Sequence, residues 1–119
     1  MDIFQFDRNE VSLPEELTYE YVNSVYSQGV FLRAMSFLVN GVGYTVNDDF
    51  CCFREDVLFE RTLNENEVLI GIGSHEAIVS KGYLFKTIIA ACDIYTKRHL
   101  KDLAKIDEIL KNMDTSGRE

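Results

Sequence analysis

Hydrophobic and polar positions follow a helical period at both ends of this 119-residue chain and a shorter period between them. Ser12 and Glu15 have the spacing of a capping box, which opens a helix. Its apolar face consists of Leu17, Tyr21, Val22 and Val25. The pattern is interrupted at Gly29 and resumes in a second stripe made of Phe31, Ala34, Met35 and Leu38. Because this stripe stops at Asn40 and Gly41, we expect two short helices, or one kinked helix, that end in a left-handed glycine cap.

Residues 43–79 change to short runs rich in β-branched and aromatic residues, which polar turns separate. The runs that predict strands are GYTV, DFCCF, VLFE, VLIGI and EAIVS. We expect the last two to pair as a hairpin around Gly73, Ser74 and His75. Gly71 and Gly73 lack the other residues of a phosphate-binding loop, so we interpret them as glycines that relieve crowding in this hairpin.

The helical period returns after Lys81 and Gly82. The next helix has an apolar face made of Leu84, Phe85, Ile88, Cys92 and Tyr95. Lys97 and Arg98 suit the negative end of its dipole. A final helix is predicted to turn inward the side chains of Leu103, Ile106, Leu110 and Met113. The polar tail 114–119 is predicted to fray.

This order of elements predicts the α+β class, with a small antiparallel sheet of three to five strands and helices from both termini packed on it. The strand order stays open at this level. The chain is 46% apolar and long enough to bury a core. We therefore expect residues 1–119 to form a single domain.

Charge is distributed unevenly along the chain, whose net charge is −8. Residues 1–76 hold 14 Asp and Glu against four Lys and Arg, whereas residues 77–119 hold six against eight. Net charge governs steering and non-specific association rather than fold. The distribution therefore favours a cationic partner and argues against direct binding of nucleic acid.

The first residues carry acid where a secretory signal would carry positive charge, and no apolar run approaches the roughly 18 residues of a membrane span. We therefore expect a cytoplasmic protein that does not associate with membranes. The cysteine count is three, and two of these residues are adjacent at Cys51 and Cys52. Reduced thiols of the cytosol fit this usage better than disulfides.

Signals of catalysis and of metal binding are weak. No motif places His75 or His99 beside a nucleophile, so we interpret both as surface residues. Cys51, Cys52 and Cys92 lack the paired spacing of zinc ligands, and Cys92 lies on an apolar stripe that favours core packing. We predict no catalytic residue, no metal and no cofactor.

The strongest candidate for a binding site is the stretch 47–76, in which acids are interleaved with large apolar residues. The acids are Asp48, Asp49, Glu55, Asp56, Glu60, Glu65, Glu67 and Glu76, and the apolar residues are Phe50, Phe53, Leu58, Phe59 and Leu63. A solvated surface would also explain the acids. However, not all of the apolar side chains can face the core of a small sheet. Aromatic anchors ringed by carboxylates suit a basic, concave partner.

Three segments carry a resemblance to a known family: GVGYTVNDDFCCF (41–53), VLIGIGSHEAIVS (68–80) and FKTIIAACDIYTKRHLKDLAKIDEILKNM (85–113). Their most distinctive parts are the Cys-Cys-Phe strand and the ACDxY helix. In these features the chain resembles the immunity proteins of contact-dependent growth inhibition (CDI) systems, in the group that protects against ribonuclease toxins.

The resemblance implies an inhibitor, not an enzyme, which binds the toxic C-terminal domain of a large effector and blocks its active site. Ribonuclease active sites use His, Lys and Arg to bind phosphate, so carboxylates can take the place of the RNA backbone. From charge and placement we predict a toxin-binding set with one immunity protein per toxin domain. Its acids are Asp48, Asp49, Glu55, Asp56, Glu60, Glu65 and Glu67, and its anchors are Phe59 and Tyr44.

Three other functions stay open at this level. The same acids would suit a DNA mimic that occupies a nucleic-acid-binding protein. The apolar helices at both ends would suit a small adaptor or an oligomeric scaffold. The third is an enzyme that depends on Cys52 or His75.

Overall fold

The computed structural model describes residues 2–56 and 63–117. The helices are Leu13–Ser27 (α1), Phe31–Leu38 (α2), Lys81–Arg98 (α3) and Leu103–Gly117 (α4). The strands are Tyr44–Val46 (β1), Asp49–Cys52 (β2), Glu67–Ile72 (β3) and His75–Ser80 (β4). Short 3₁₀ helices cover Arg54–Asp56 and Leu100–Asp102. None of the helices among the described residues combines the length and apolar character needed to cross a membrane.

The structure confirms the α+β class. The described strands form one antiparallel sheet in the order β1-β2-β3-β4, so each strand pairs with its neighbours along the chain. The hairpin predicted around Gly73 joins β3 to β4, and Gly73 adopts a φ of 57° there. The strand predicted for the run VLFE lies outside the described residues.

Strand register gives the sheet two different faces. Tyr44, Cys51, Ile70 and Ala77 lie in one row across the four strands. Cys51 and Ile70 of this row are fully buried, and α1 and α3 pack on this inner face. The neighbouring row, Phe50, Gly71 and Glu76, points to the opposite side because side chains alternate along a strand. We call that side the open sheet face. Its side chains in β2, β3 and β4 are those of Phe50, Cys52, Glu67, Leu69, Gly71, Glu76, Ile78 and Ser80.

Gly71 leaves room for the ring of its cross-strand neighbour Phe50. A Cβ atom at this position would overlap the ring of Phe50, which lies over the glycine on the open sheet face. An aromatic ring over a strand glycine covers backbone that the missing side chain leaves bare. The interpretation of Gly71 as a residue that relieves crowding is thereby confirmed.

The capping box predicted at the start of α1 and the glycine cap predicted at the end of α2 are also confirmed. The Ser12 hydroxyl accepts from the Glu15 N–H at 3.3 Å, and a Glu15 carboxylate oxygen accepts from the Ser12 N–H at 3.0 Å. The same carboxylate oxygen also accepts from the Ser12 hydroxyl at 2.9 Å, and the two bonds donated to it by Ser12, first that of the N–H, lower the pKa of Glu15. At the end of α2, Gly41 has a φ of 76°, and the Val42 N–H donates to the Phe37 carbonyl at 3.0 Å. This six-to-one bond is typical of a glycine-terminated helix.

The N-terminal segment is fastened to the helical side of the molecule. The buried Asn23 of α1 accepts from the Phe4 N–H at 2.8 Å and donates its amide to the Phe4 carbonyl at 2.9 Å. Phe4 and Phe6 also contact the ring of Tyr19 at centroid distances of 4.9 and 5.3 Å. Residues 3–6 therefore pack on α1.

The final helix differs from its prediction in one position. Ile106 and Met113 are buried as expected and Leu110 is half-buried, but Leu103 is 47% exposed. The prediction for Leu103 was wrong because α4 begins at this residue and its first turn lies outside the core contact. Ile109 is buried in addition. The helix continues to Gly117, and fraying of the tail 114–119 stays a prediction.

The register predicts different reactivities for the three thiols. Cys51 and Cys92 are fully buried, and burial raises the pKa of Cys92 to about 12, whereas Cys52 is half-buried on the open sheet face. We expect a disulfide reagent at about pH 8 to label a single thiol rapidly in the folded chain, because reaction requires an accessible thiolate. Rapid labelling should disappear in Cys52→Ser and persist in Cys92→Ser. Persistence in Cys52→Ser would contradict the register, since a slip of one residue exchanges the faces of Cys51 and Cys52.

Candidate functional site

The acids predicted to bind a partner lie at two ends of the sheet. Asp48 and Asp49 lie at the turn between β1 and β2, next to the β3–β4 turn. At the other end, Glu55 follows β2, Glu65 precedes β3, and Glu67 is the first residue of β3. A strand of five or six residues separates the ends by about 15–20 Å. Asp56 belongs to the 3₁₀ helix there, its side chain is not among those described, and Phe59 and Glu60 lie outside the described residues.

Asp49 is engaged within the fold. One carboxylate oxygen accepts from the Ser24 hydroxyl of α1 at 2.9 Å, and the other accepts from the Gly73 N–H at 3.3 Å. The side chain points toward the inner face, where Val46 is its strand partner. Asp49 therefore joins β2 to α1 and to the β3–β4 turn.

Glu67 also has a local structural role. Its carboxylate accepts from the Asn64 N–H at 3.1 Å, while the Asn64 side chain accepts from the Asn66 N–H at 2.9 Å. The Asn66 carbonyl in turn accepts from the Lys81 N–H at 2.7 Å. This set of hydrogen bonds shapes the turn that leads into β3 and joins it to the start of α3.

Tyr44, predicted as an anchor, is half-buried and packed. Its ring stacks on that of Phe37 at a centroid distance of 5.4 Å. Its carbonyl accepts from the Tyr21 hydroxyl at 2.6 Å, and Tyr21 is fully buried. Burial raises the pKa of Tyr21, so this phenol stays a donor. In this conformation, Tyr44 joins β1 to α1 and α2.

The remaining acids of the predicted set are differently placed. Asp48, Glu55 and Glu65 are exposed, and no hydrogen bond or ion pair joins any of them to another described residue. Their carboxylates face water at the two ends of the sheet, where an incoming partner can reach them.

The apolar residues interleaved with the acids also differ in their exposure. Phe53 and Leu63 are buried, and Phe53 packs near Phe85 with a centroid distance of 6.5 Å. Phe50 is half-buried on the open sheet face. Leu58 lies outside the described residues. Among the described residues of this stretch, Phe50 is therefore the aromatic side chain left in reach of a partner.

The sequence analysis did not identify an aromatic cluster in the helical layer. The Tyr95 ring stacks between Phe31 and His99, with centroid distances of 4.5 and 4.3 Å. Tyr26 meets these rings edge-on, and its hydroxyl lies 2.9 Å from His99 Nε2. The interpretation of His99 as an ordinary surface residue was therefore wrong, whereas His75 is exposed.

This cluster lines an open depression of about 610 Å³ between the α1–α2 turn and the end of α3. The Tyr95 hydroxyl donates to Asp102 at 2.7 Å, and burial together with this bond raises the pKa of Tyr95. The available sequence signal for the stack is the spacing of four residues between Tyr95 in the last turn of α3 and His99 at its C-terminal cap. These contacts fasten α3 and the following turn to the α1–α2 connection.

Neither histidine forms part of a metal centre in the described structure. Among residues 2–56 and 63–117, no three side chains of His, Cys, Asp or Glu come together as metal ligands would. His99 is engaged with Tyr26, and Cys51 and Cys92 are buried in the core and form no disulfide.

Comparison with known proteins identifies a family. Residues 10–110 match the family model described as CDI immunity protein. The matched range includes every described strand and the helices α1, α2 and α3 completely. None of the curated proteins matches the chain.

The adjacent acids Asp48 and Asp49 should respond differently to truncation. We expect Asp49→Ala to lower the free energy of unfolding by about 1–2 kcal/mol, because it leaves the Ser24 hydroxyl and the Gly73 N–H without their acceptor. Asp48→Ala, the matched control, should change stability by less than about 0.5 kcal/mol. Urea unfolding of both variants measures the difference. Equal stability of the two variants would show that the Asp49 bonds contribute nothing.

Proposed function

The chain belongs to the CDI immunity protein family, and we propose that it binds and neutralises the C-terminal ribonuclease domain of a CDI effector. Membership in the family supports a CDI toxin as the partner. The ribonuclease activity of that toxin is part of the proposal. It is supported by the acidic character of the chain, since enzymes that cleave RNA bind its phosphates with cationic side chains.

The observation that carries the proposal is the set of exposed acids at the ends of the sheet. Asp48, Glu55 and Glu65 have no hydrogen bond or ion pair with another described residue, so their charge is available to a partner. A carboxylate offers the same kind of acceptor to Arg and Lys as a phosphate oxygen does. Binding of these acids would therefore compete with binding of RNA.

In this mechanism the chain acts by occupancy and not by catalysis. Long-range attraction between the acidic chain and a basic toxin speeds encounter, and packed contacts then hold the complex. One immunity protein covers one toxin domain. We place this binding in the cytoplasm, because Cys51, Cys52 and Cys92 form no disulfide, which suits a reducing compartment, and because the toxin would act on RNA there.

Reversal of the exposed acids tests the proposal. We expect Glu55→Lys combined with Glu65→Lys to slow association with the cognate toxin domain about ten-fold and to weaken the dependence of the rate on salt, because rim charges act mainly on encounter. Stopped-flow or surface-based binding kinetics measure both quantities, and an RNA cleavage assay measures the loss of inhibition.

The matched control is Asp107→Lys combined with Glu108→Lys, two exposed acids of α4. It changes the net charge by the same amount but on the helical side of the molecule. We expect a smaller effect there. Equal slowing by both double variants would mean that net charge alone acts and that the acids near the sheet are not the contact site. A wild-type chain that fails to bind the toxin domain would reject the proposed function.

A further inference from the structure

The open depression between the α1–α2 turn and the end of α3 has the dimensions of a small-molecule site. Its volume of about 610 Å³ lies within the roughly 300–1,000 Å³ that is typical of ligand pockets. Its walls include the rings of Tyr26, Phe31 and Tyr95, together with His99 and Arg33. A lining in which a few polar groups stand among apolar and aromatic side chains is the usual composition of a ligand site.

The aromatic wall of the depression is held in place by contacts within the chain. Tyr95 is stacked between Phe31 and His99, and the Tyr26 hydroxyl lies 2.9 Å from His99 Nε2. The Arg98 guanidinium lies 5.7 Å from the centroid of the Tyr26 ring. Phe31 and Tyr95 are buried, whereas Tyr26 and His99 are half-buried and line the depression. An occupant can therefore contact Tyr26 and His99 in orientations that the fold already fixes.

The charge of this lining is opposite in sign to that of the whole chain. The described residues that line the depression include Arg33 and no Asp or Glu, although the net charge of the chain is −8. Asp102, which contacts the aromatic cluster, accepts from the Tyr95 hydroxyl at 2.7 Å and does not line the depression. Arg33 is exposed, and no hydrogen bond or ion pair joins its side chain to another described residue. A guanidinium binds carboxylate and phosphate groups through paired hydrogen bonds, so Arg33 is available to an anion.

The chemistry of the lining selects one class of occupant. A cationic ligand would meet Arg33 and find no carboxylate to balance its charge. A long nucleic acid would carry further phosphates over a chain of net negative charge, which disfavours a polymer more than a single small anion. A planar ring that carries one anionic group matches both parts of the lining, because its ring can contact Tyr26 and His99 while its anion meets Arg33.

We propose that this depression binds a small aromatic anion, which is a planar ring that carries a phosphate or a carboxylate group. Tyr26 and His99 contact the ring of the ligand, and Arg33 binds its anionic group. This binding is separate from the proposed inhibition of a toxin and requires no toxin domain.

Titration of the isotope-labelled chain tests the proposal, with adenosine monophosphate and phenylacetate as the two probes. We expect at least one probe to shift the NMR signals of Gly29, Arg33 and His99 in a saturable way, with a dissociation constant of about 1 mM or below. Binding of the phosphate probe alone or of the carboxylate probe alone identifies which anionic group the site accepts. If neither probe gives saturable shifts at these residues up to about 10 mM, the proposal is overturned.

A matched pair of arginine variants tests the role assigned to Arg33. We expect Arg33→Gln to weaken binding of the anionic probe about ten-fold, because it removes the charged donor and keeps a side chain of similar polarity. Arg54→Gln, the control, removes an exposed arginine from the 3₁₀ helix after β2 and should bind like the wild type. Unchanged signals away from the depression verify that both variants are folded. Equal weakening in the two variants would overturn the site, because net charge alone would then explain the attraction.

Two further ligands separate the contribution of the ring from that of the anion. Adenosine, which lacks the phosphate, should bind several-fold more weakly than adenosine monophosphate, and Arg33→Gln should leave its affinity unchanged. Inorganic phosphate, which lacks the ring, should also bind more weakly than adenosine monophosphate. Binding of inorganic phosphate as tight as that of the nucleotide would overturn the assignment of an aromatic ligand. Because this experiment contains no toxin domain, none of its outcomes bears on the proposed function.

Discussion

The register of β3 between β2 and β4 is the constraint on which the rest of the structure depends. It turns Val68 and Ile70 toward the helices and turns Glu67, Leu69 and Gly71 the other way. A slip of one residue would turn Glu67 toward the helices and turn Val68 and Ile70 away from them, because the faces of a strand exchange with each residue. The same register places the Phe50 ring over position 71, where a Cβ atom would overlap it. The separation of the helical layer from the open sheet face follows directly.

The structure also separates the acids that stabilise the fold from those that remain exposed. Glu15 completes the cap of α1, Glu20 pairs with Arg8 at 2.6 Å, and Asp49 and Glu67 hold turns together. Each of these carboxylates has a hydrogen-bonding partner within the chain. The acidic excess of residues 1–76 therefore overstates the charge offered to a partner. What is offered is concentrated near the sheet, on side chains that no internal contact orients.

Features set by neighbouring residues could be predicted from the sequence. The capping box of Ser12, the left-handed Gly41 and the hairpin at Gly73 depend on residues within a few positions of one another. The candidate acids could be identified for the same reason, because they lie close together in the sequence. Their division between two ends of the sheet was not, because it depends on strand order.

Features set by distant residues could not be predicted. Asp49 meets Ser24, which is 25 residues away, and His99 meets Tyr26 across 73 residues. Leu103 fits the helical period, but the period does not say where along a helix contact with the core begins. Burial starts one turn later, at Ile106. In each case the missing information is a tertiary contact and not a local preference.

The described terminal segments pack on the helical side of the sheet and not on its open face. A four-stranded sheet can bury both faces only if further elements pack on the second one. The N-terminal segment is held on α1 by the two Asn23 bonds to Phe4, and α4 is held by Ile106, Ile109 and Met113 in the core. The N-terminal segment and α4 therefore both pack on the helical side. The open sheet face therefore keeps Phe50 half-buried and Ile78 47% exposed, because none of the described helices packs on it as α1 and α3 pack on the inner face.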